Sequence, residues 1–246
     1  MSKTIIIIPS RLAAKRLPQK PLMEINGIPM IVQTYRRALE SNCGDVYVAS
    51  SDDDILNVIK NFKGKSMLTG EHHLTGSDRV YEAYKKINDE KIDLIINLQG
   101  DMPNIDPNNI LKLNKLMRKN NSQMGTLASK ITNNSEMKDF NIVKVKTEET
   151  LNHKDFLKVK DFFRIGDSKN SENIYHHIGI YAFKPDVLKK YINLKRSKNE
   201  IDRNLEQMRA LDNSIKIDVS IVSSAPLSVD TQKELEEVRS LMNLKK

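Results

Sequence analysis

Thr4-Ile5-Ile6-Ile7-Ile8-Pro9-Ser10-Arg11-Leu12-Ala13-Ala14-Lys15-Arg16-Leu17-Pro18-Gln19-Lys20-Pro21-Leu22 joins four consecutive isoleucines to a basic, proline-punctuated loop with no linker between them. An unbroken β-branched run predicts a strand buried on both faces, the habit of parallel sheets with helices packed above and below. Beyond the loop, Pro29 stands where a helix would start, and Ile31, Tyr35, Ala38 and Leu39 form its apolar stripe. A strand is expected over 45–50, a helix over 52–62 and a short strand over 66–68. Ser77 and Asp78 can cap a helix bearing Val80, Tyr84 and Ile87, and a buried strand follows over 93–98. Strands alternating with helices in this way predict an α/β fold with a mainly parallel sheet flanked by helices.

Further along, 107–118 reads as a helix, with Asp106 as a turn or cap residue, and 125–131 reads as a strand. The segment 133–173 is looser, polar and lysine-rich, with edge strands expected over 142–147 and 156–160, as in a small lobe inserted over the carboxyl end of a sheet. Core character returns over 178–183, followed by a helix over 185–191. One helix is expected over 199–212, with Ile201, Leu205, Met208 and Leu211 on one face. A strand over 215–222 and a helix from about 231 close the chain. With neither a repeat nor a composition break, 1–246 is expected to be a single domain with 133–173 as its inserted lobe.

The 246 residues include 40 Lys and Arg against 32 Asp and Glu, a net charge of +8, with 39% hydrophobic residues and a mean hydropathy of −0.51. That composition supports a buried core and argues against disorder or a membrane protein. The longest apolar runs are strand-sized, far short of the roughly 20 residues of a membrane span. Met1-Ser2-Lys3-Thr4 leads straight into the first strand without signal-peptide features, so a cytoplasmic location is expected. Cys43 is the only cysteine, which excludes an intrachain disulfide and a cysteine-based zinc cage, and its setting beside Gly44 suits a structural role. Trp is absent and the lysines are spread without interleaved aromatics, so nucleic acid is not the expected partner.

The chemistry concentrates in the first loop, which brings Arg11, Lys15, Arg16 and Lys20 to the carboxyl end of a strand, where open α/β sheets bind ligands. Four cations there suit a triphosphate, although neither Gly-Lys-Ser/Thr nor GxGxxG occurs. Arg11-x4-Arg16-x-Pro18-x-Lys20-Pro21-Leu22, followed by Ile25-x-Gly27-x-Pro29-Met30-Ile31, resembles the signature of the sugar nucleotidyltransferases. Within them it resembles the cytidylyltransferases that activate 3-deoxy-manno-octulosonate (Kdo). Five further blocks match in order: His73-Leu74-Thr75-Gly76-Ser77-Asp78-Arg79, Asn97-Leu98-Gln99-Gly100-Asp101-Met102-Pro103, Tyr175-His176-His177-Ile178-Gly179-Ile180-Tyr181, Asn204-Leu205-Glu206-Gln207-Met208-Arg209-Ala210-Leu211, and Val229-Asp230-Thr231 with Leu235-Glu236.

The resemblance implies a Rossmann-like nucleotidyltransferase sheet and Mg²⁺-dependent transfer of CMP from CTP to Kdo, giving CMP-Kdo and pyrophosphate for lipopolysaccharide synthesis. It implies a homodimer as well. Attack of a sugar hydroxyl on the α-phosphate builds charge on phosphoryl oxygens and on departing pyrophosphate, so cations and a carboxylate-held metal are wanted. Arg11 and Lys20 are the expected phosphate ligands, with Arg16 in support, and Lys20, Arg11 and Asp101 form the expected catalytic set. Asp101 and Asp230 are the expected Mg²⁺ ligands, since hard oxygen donors suit that ion. Thr75 and Arg79 map to base recognition, and Gln99 maps to a position facing the sugar acid. Arg164 aligns with an arginine that would clamp the sugar carboxylate in bidentate fashion. His177, Tyr181, Glu206 and Gln207 complete the expected sugar pocket, although His177 alone also fits a core histidine.

Four departures from the family pattern bear on these expectations. Ala14 stands for a hydroxyl residue, Gln19 for the usual glycine, Met102 for a glutamate, and Phe163-Arg164-Ile165-Gly166 for Ser-Arg-x-x-Ile-Pro. The last leaves open another 2-keto sugar acid, either amino-substituted Kdo or sialic acid. A non-catalytic nucleotide-binding module is the alternative from a different class.

Overall fold

Ile5, Ile6, Ile7 and Ile8 are fully buried in the first strand, β1 (Lys3–Pro9), as their unbroken apolar run requires. The computed structural model describes residues 3–13, 16–152, 155–165 and 172–243. Ala14, Lys15 and Gly166 lie outside the described residues. The chain forms two compact units, one of Met1–Leu111 with Pro226–Lys246 and the other of Lys112–Ala225.

In the first unit, β1 leads through a 3-10 turn at Lys20–Leu22 to a two-stranded hairpin of β2 (Glu24–Ile25) and β3 (Ile28–Pro29). Asn26 and Gly27 both take positive φ, 55° and 77°, the backbone that a tight two-residue hairpin demands. Helix α1 (Met30–Glu40) starts directly after Pro29, with Ile31, Tyr35 and Ala38 buried. Leu39, expected in the same stripe, is instead 45% exposed. Then come β4 (Asp45–Ser50), α2 (Asp53–Asn61), β5 (Ser66–Leu68), α3 (Gly76–Ile87) and β6 (Ile92–Asn97). The four main strands run parallel in the order β5-β4-β1-β6. Helix α1 and α2 pack on β4, and α3 on β1 and β6. This is the parallel, helix-flanked sheet that the sequence predicts. Asp106 accepts from Asn108 N at 2.9 Å just before α4 (Pro107–Lys119), in the capping role expected of it.

The second unit holds β7 (Met124–Ser129), α5 (Asn134–Lys138), β8 (Lys144–Thr147), β9 (Leu157–Phe163), β10 (Ile174–Phe183), α6 (Pro185–Ile192), α7 (Lys198–Arg203), α8 (Met208–Asp212) and β11 (Ile217–Val222). Its strands follow the order β10-β7-β11-β9-β8. The pairings close on themselves, because Ile174–His176 of β10 also pairs with β8. Among the described residues of this unit, only β7 and β11 run parallel, and the other pairings are antiparallel. Segment 133–173 contributes α5, β8 and β9.

The helix expected over 199–212 is two helices. Asn204 adopts φ 51°, ψ 50°, the left-handed conformation that ends α7, so Ile201 turns outward and is 57% exposed. Helix α9 (Gln232–Asn243) returns to the first unit, where Leu235 and Val238 pack with Leu17, Ile25, Met30 and Val229.

Candidate active site

β1 delivers Pro9 and Ser10 to the carboxyl end of the parallel strands, and Arg11 follows on an exposed loop. Two backbone donors hold this loop: Ser10 N bonds Ala49 O at 2.9 Å, and Leu12 N bonds Asp52 Oδ2 at 2.9 Å. Asp52 is a positioning residue that the motifs did not reveal. Its one local signal is Ser50-Ser51-Asp52 directly after a strand, where Ser50 Oγ accepts from Asp52 N at 3.0 Å.

Lys20 lies on the short turn after this loop. Its Nζ donates to Asp101 Oδ2 and to Asp230 Oδ1, each at 2.9 Å, with the lysine side chain only 13% exposed. Burial works against the ammonium, but the two carboxylates outweigh it and raise Lys20 above its usual value. Arg16 Nη2 reaches the other oxygen of Asp230 at 2.6 Å. Asp101 follows β6, and its main-chain oxygen accepts from Val229 N at 3.0 Å, which sets Asp230 beside it. Asp230 N and Thr231 N both donate to Glu234 Oε2, at 2.7 and 2.8 Å, fixing the turn at the start of α9. Two carboxylates converging on one cation are a donor set that suits a hard divalent ion, so the residues present fit Mg²⁺. Met102, which replaces an acid in the family pattern, is buried.

Thr75, not Ser77 or Asp78, is the cap of α3. Its hydroxyl accepts from Asp78 N at 3.3 Å and donates to Asp78 Oδ2 at 2.8 Å, while Thr75 N also donates to that carboxylate at 3.0 Å. The cap moves upstream because Thr75 and Asp78 have the spacing of a reciprocal capping box. Arg79, one turn into α3, is buried and donates to Thr69 Oγ1 at 2.5 Å. Burial lowers its pKa, the charge of Arg11 pushes the same way, and Asp52 and Glu82 oppose them. An anion beside both guanidiniums would relieve their repulsion. Gln99 Nε2 bonds Asn97 Oδ1 at 3.0 Å, and Asn97 Nδ2 bonds Ser77 Oγ at 3.3 Å.

Arg164, His177, Tyr181, Glu206 and Gln207 lie in the second unit. Arg164 donates to Phe140 O at 3.0 Å and Asn204 O at 3.1 Å, and its guanidinium stacks over the Phe140 ring at 4.9 Å. His177 Nε2 lies 3.0 Å from Thr126 Oγ1, whose single proton is claimed by the carbonyls of Ile178 and Ile180. The hydrogen-bond pattern therefore assigns the imidazole proton to Nε2. Burial, with the charge of His176 adding to it, lowers His177 to about 3, so the ring is neutral at pH 7 and is no general acid. Its ring packs against Phe162 at 5.0 Å and Tyr181 at 5.4 Å. The Tyr181 hydroxyl is buried and has no hydrogen-bond partner among the described residues. Burial, then the charge of Glu206, raises Tyr181 well above its usual value, which keeps the phenol protonated as a donor. Glu206 accepts from the Tyr191 hydroxyl at its main-chain oxygen, 2.8 Å, and at Oε1, 3.2 Å. Gln207 is buried at the start of α8. Beneath them Arg209 grips Glu200 through two bonds of 2.8 and 2.7 Å, a buried pair that no motif role had assigned.

A family model described as cytidylyltransferase matches residues 5–217. The chain belongs to the cytidylyltransferase family. It is thus a nucleotidyltransferase, with relatives similar to it over their whole length. It is 38% identical over 241 residues to the 3-deoxy-manno-octulosonate cytidylyltransferase of Bartonella bacilliformis, covering 98% of each chain. The corresponding figure for that of Paramagnetospirillum magneticum is 37% over 239 residues, 97% of each. A solved CMP:2-keto-3-deoxy-manno-octonic acid synthetase complexed with CTP is 35% identical, with a TM-score of 0.89 over 100% of both chains. A cytidylyltransferase from Leptospira borgpetersenii, 18% identical with a TM-score of 0.66 over 99% of this chain and 88% of its own, shares the fold. No helix among the described residues of this cytidylyltransferase is long and apolar enough to cross a membrane.

Proposed function

We propose that this cytidylyltransferase transfers CMP from CTP to Kdo and releases pyrophosphate. The observation that carries the reading is Lys20 held between Asp101 and Asp230, in a chain that resembles Kdo cytidylyltransferases over its whole length. In the reaction the sugar's anomeric hydroxyl oxygen bonds to the α-phosphorus, the bond from that phosphorus to the oxygen bridging it to the β-phosphorus breaks with its electron pair going to pyrophosphate, and the hydroxyl proton passes to solvent. Arg11, Arg16 and Lys20 bind the phosphates and stabilise charge that grows on them. Thr75 and Arg79 face the base. Asp101 and Asp230 hold Mg²⁺, which neutralises phosphate charge when bound.

Arg164 clamps the sugar carboxylate, while His177, Tyr181, Glu206 and Gln207 orient its hydroxyls. The unpartnered Tyr181 hydroxyl supports this role, since a buried donor without a partner is costly unless a ligand supplies one. Family resemblance supports a cytoplasmic homodimer and use of the CMP-sugar in lipopolysaccharide synthesis.

Pyrophosphate release from CTP and Mg²⁺ is measured with Kdo, sialic acid or no sugar. Release with Kdo alone is expected. Release only with sialic acid would redirect the reading to that acid, and CTP binding without release in any arm would leave a nucleotide-binding module.

A further inference from the structure

His72, His73 and Glu82 have no part in the chemistry proposed above, yet they bring three metal-ligating side chains together in the first unit. One candidate ligand atom from each lies within 4.8 Å of the other two. His73 Nε2 already contacts Glu82 Oε2, and the two imidazole rings stand 4.5 Å apart, centroid to centroid. Outer partners hold the carboxylate in place. Glu82 Oε2 accepts from Gly70 N at 3.0 Å, while Oε1 pairs at 2.7 Å with Lys86, whose ammonium also donates to Leu68 O at 2.8 Å. Metal-ligating carboxylates are oriented by such hydrogen bonds. Glycine at position 70 makes room for the His72 ring, because a Cβ there would fall 2.5 Å from His72 Cε1 and 2.6 Å from its Nδ1.

We propose that His72, His73 and Glu82 form a second metal site, separate from Asp101 and Asp230, for a borderline transition-metal ion such as Zn²⁺. Two imidazoles and one carboxylate are the donors such an ion takes, whereas Mg²⁺ prefers oxygen alone. Zinc holds its ligands at about 2.0–2.2 Å, so tetrahedral donors stand about 3.4 Å apart; the wider spacings in the set must close by up to about 1.4 Å, while His73 Nε2 and Glu82 Oε2, already in contact, move apart to admit the ion. His72 is exposed and turns to supply that movement. Three protein ligands leave the fourth position to water or an outside ligand. Glu82 belongs to α3, and the histidines belong to the loop that feeds Thr75 at its cap. A bound ion ties loop to helix and stiffens the approach to Thr75 and Arg79.

Metal-stripped full-length protein, free of nucleotide, is titrated with Zn²⁺ by calorimetry and with Co²⁺ by visible absorption. One saturable site per chain is expected, with Co²⁺ showing the intense bands of a tetrahedral site. His72→Ala and Glu82→Gln each weaken Zn²⁺ binding by at least about tenfold, whereas Asp101→Asn leaves it unchanged. His72 is exposed, so its variant retains the fold, and circular dichroism checks this. The proposal is overturned by the absence of saturable binding or by wild-type affinity in His72→Ala. Loss of the site in Asp101→Asn would overturn it too, by moving the ion to the nucleotide carboxylates.

Discussion

Lys20 offers one ammonium to two carboxylates, so its removal leaves Asp101 and Asp230 facing each other without the charge between them. Lys20→Ala should lower kcat by at least about 100-fold, the usual cost of one charge contact made in the transition state. A thermal melt separates this from unfolding, and near-normal turnover would end the assignment. His177 makes a prediction about pH. Its ordinary value of 6.5 falls to about 3 in the fold because burial refuses the cation. Above 6.5 both folded and unfolded chains hold it neutral, and no penalty arises. As pH drops through 6.5, the unfolded chain takes up a proton that the folded one refuses, so stability falls by about 1.4 kcal/mol per pH unit toward pH 3. Urea unfolding should show about 2 kcal/mol lost to this residue between pH 7 and pH 5. His177→Asn should lack that part of the slope, and identical slopes would clear His177.

Short elements set the site residues. The turn at Lys20–Leu22 begins from Gln19, held at φ 56°, ψ 19°, a left-handed conformation that costs a residue with a Cβ about 1–2 kcal/mol. This is where the family pattern has glycine, and the backbone explains why. Gln19→Gly should keep or raise the melting temperature, whereas Gln19→Val should destabilise by about 1 kcal/mol or more, because a branched Cβ tolerates this region least. A drop with glycine would contradict the left-handed turn. The break between α7 and α8 is held by the buried Glu200–Arg209 pair, with Arg196 joining Glu200 at 2.9 Å. Removing one member leaves the other charge buried alone. Glu200→Gln should therefore cost about 3–5 kcal/mol in denaturant unfolding. A loss below about 1 kcal/mol, typical of an exposed pair, would show that the pair is solvated in solution.

At the scale of the whole molecule, the net charge of +8 favours an incoming anion, with Arg11 exposed on the first loop, while Lys20 and Arg16 are balanced by Asp101 and Asp230. Steering by such a field weakens as ions screen it, with the screening length falling from about 10 Å to about 3 Å between 0.1 M and 1 M salt. The kcat/KM for CTP should fall across that range at constant free Mg²⁺. A value independent of salt would mean that the charge serves solubility alone.

Much of the fold was legible because it rests on local chemistry. Four β-branched isoleucines in a row favour a strand buried on both faces, Pro29 favours a helix start, and six ordered motif blocks leave one family. Other features depended on residues far apart in the chain. The sequence by itself determined the α/β class, the strand and helix series of the first unit and the types of residue the chemistry would use. Only the tertiary structure decided that Lys20 would sit between Asp101 and Asp230, that Asp52 would pin the first loop, that Asn204 would break a helix and that Glu82 would meet two histidines. Periodicity records how each residue relates to neighbours a turn or a pleat away, whereas these contacts follow from how strands and loops return to one another.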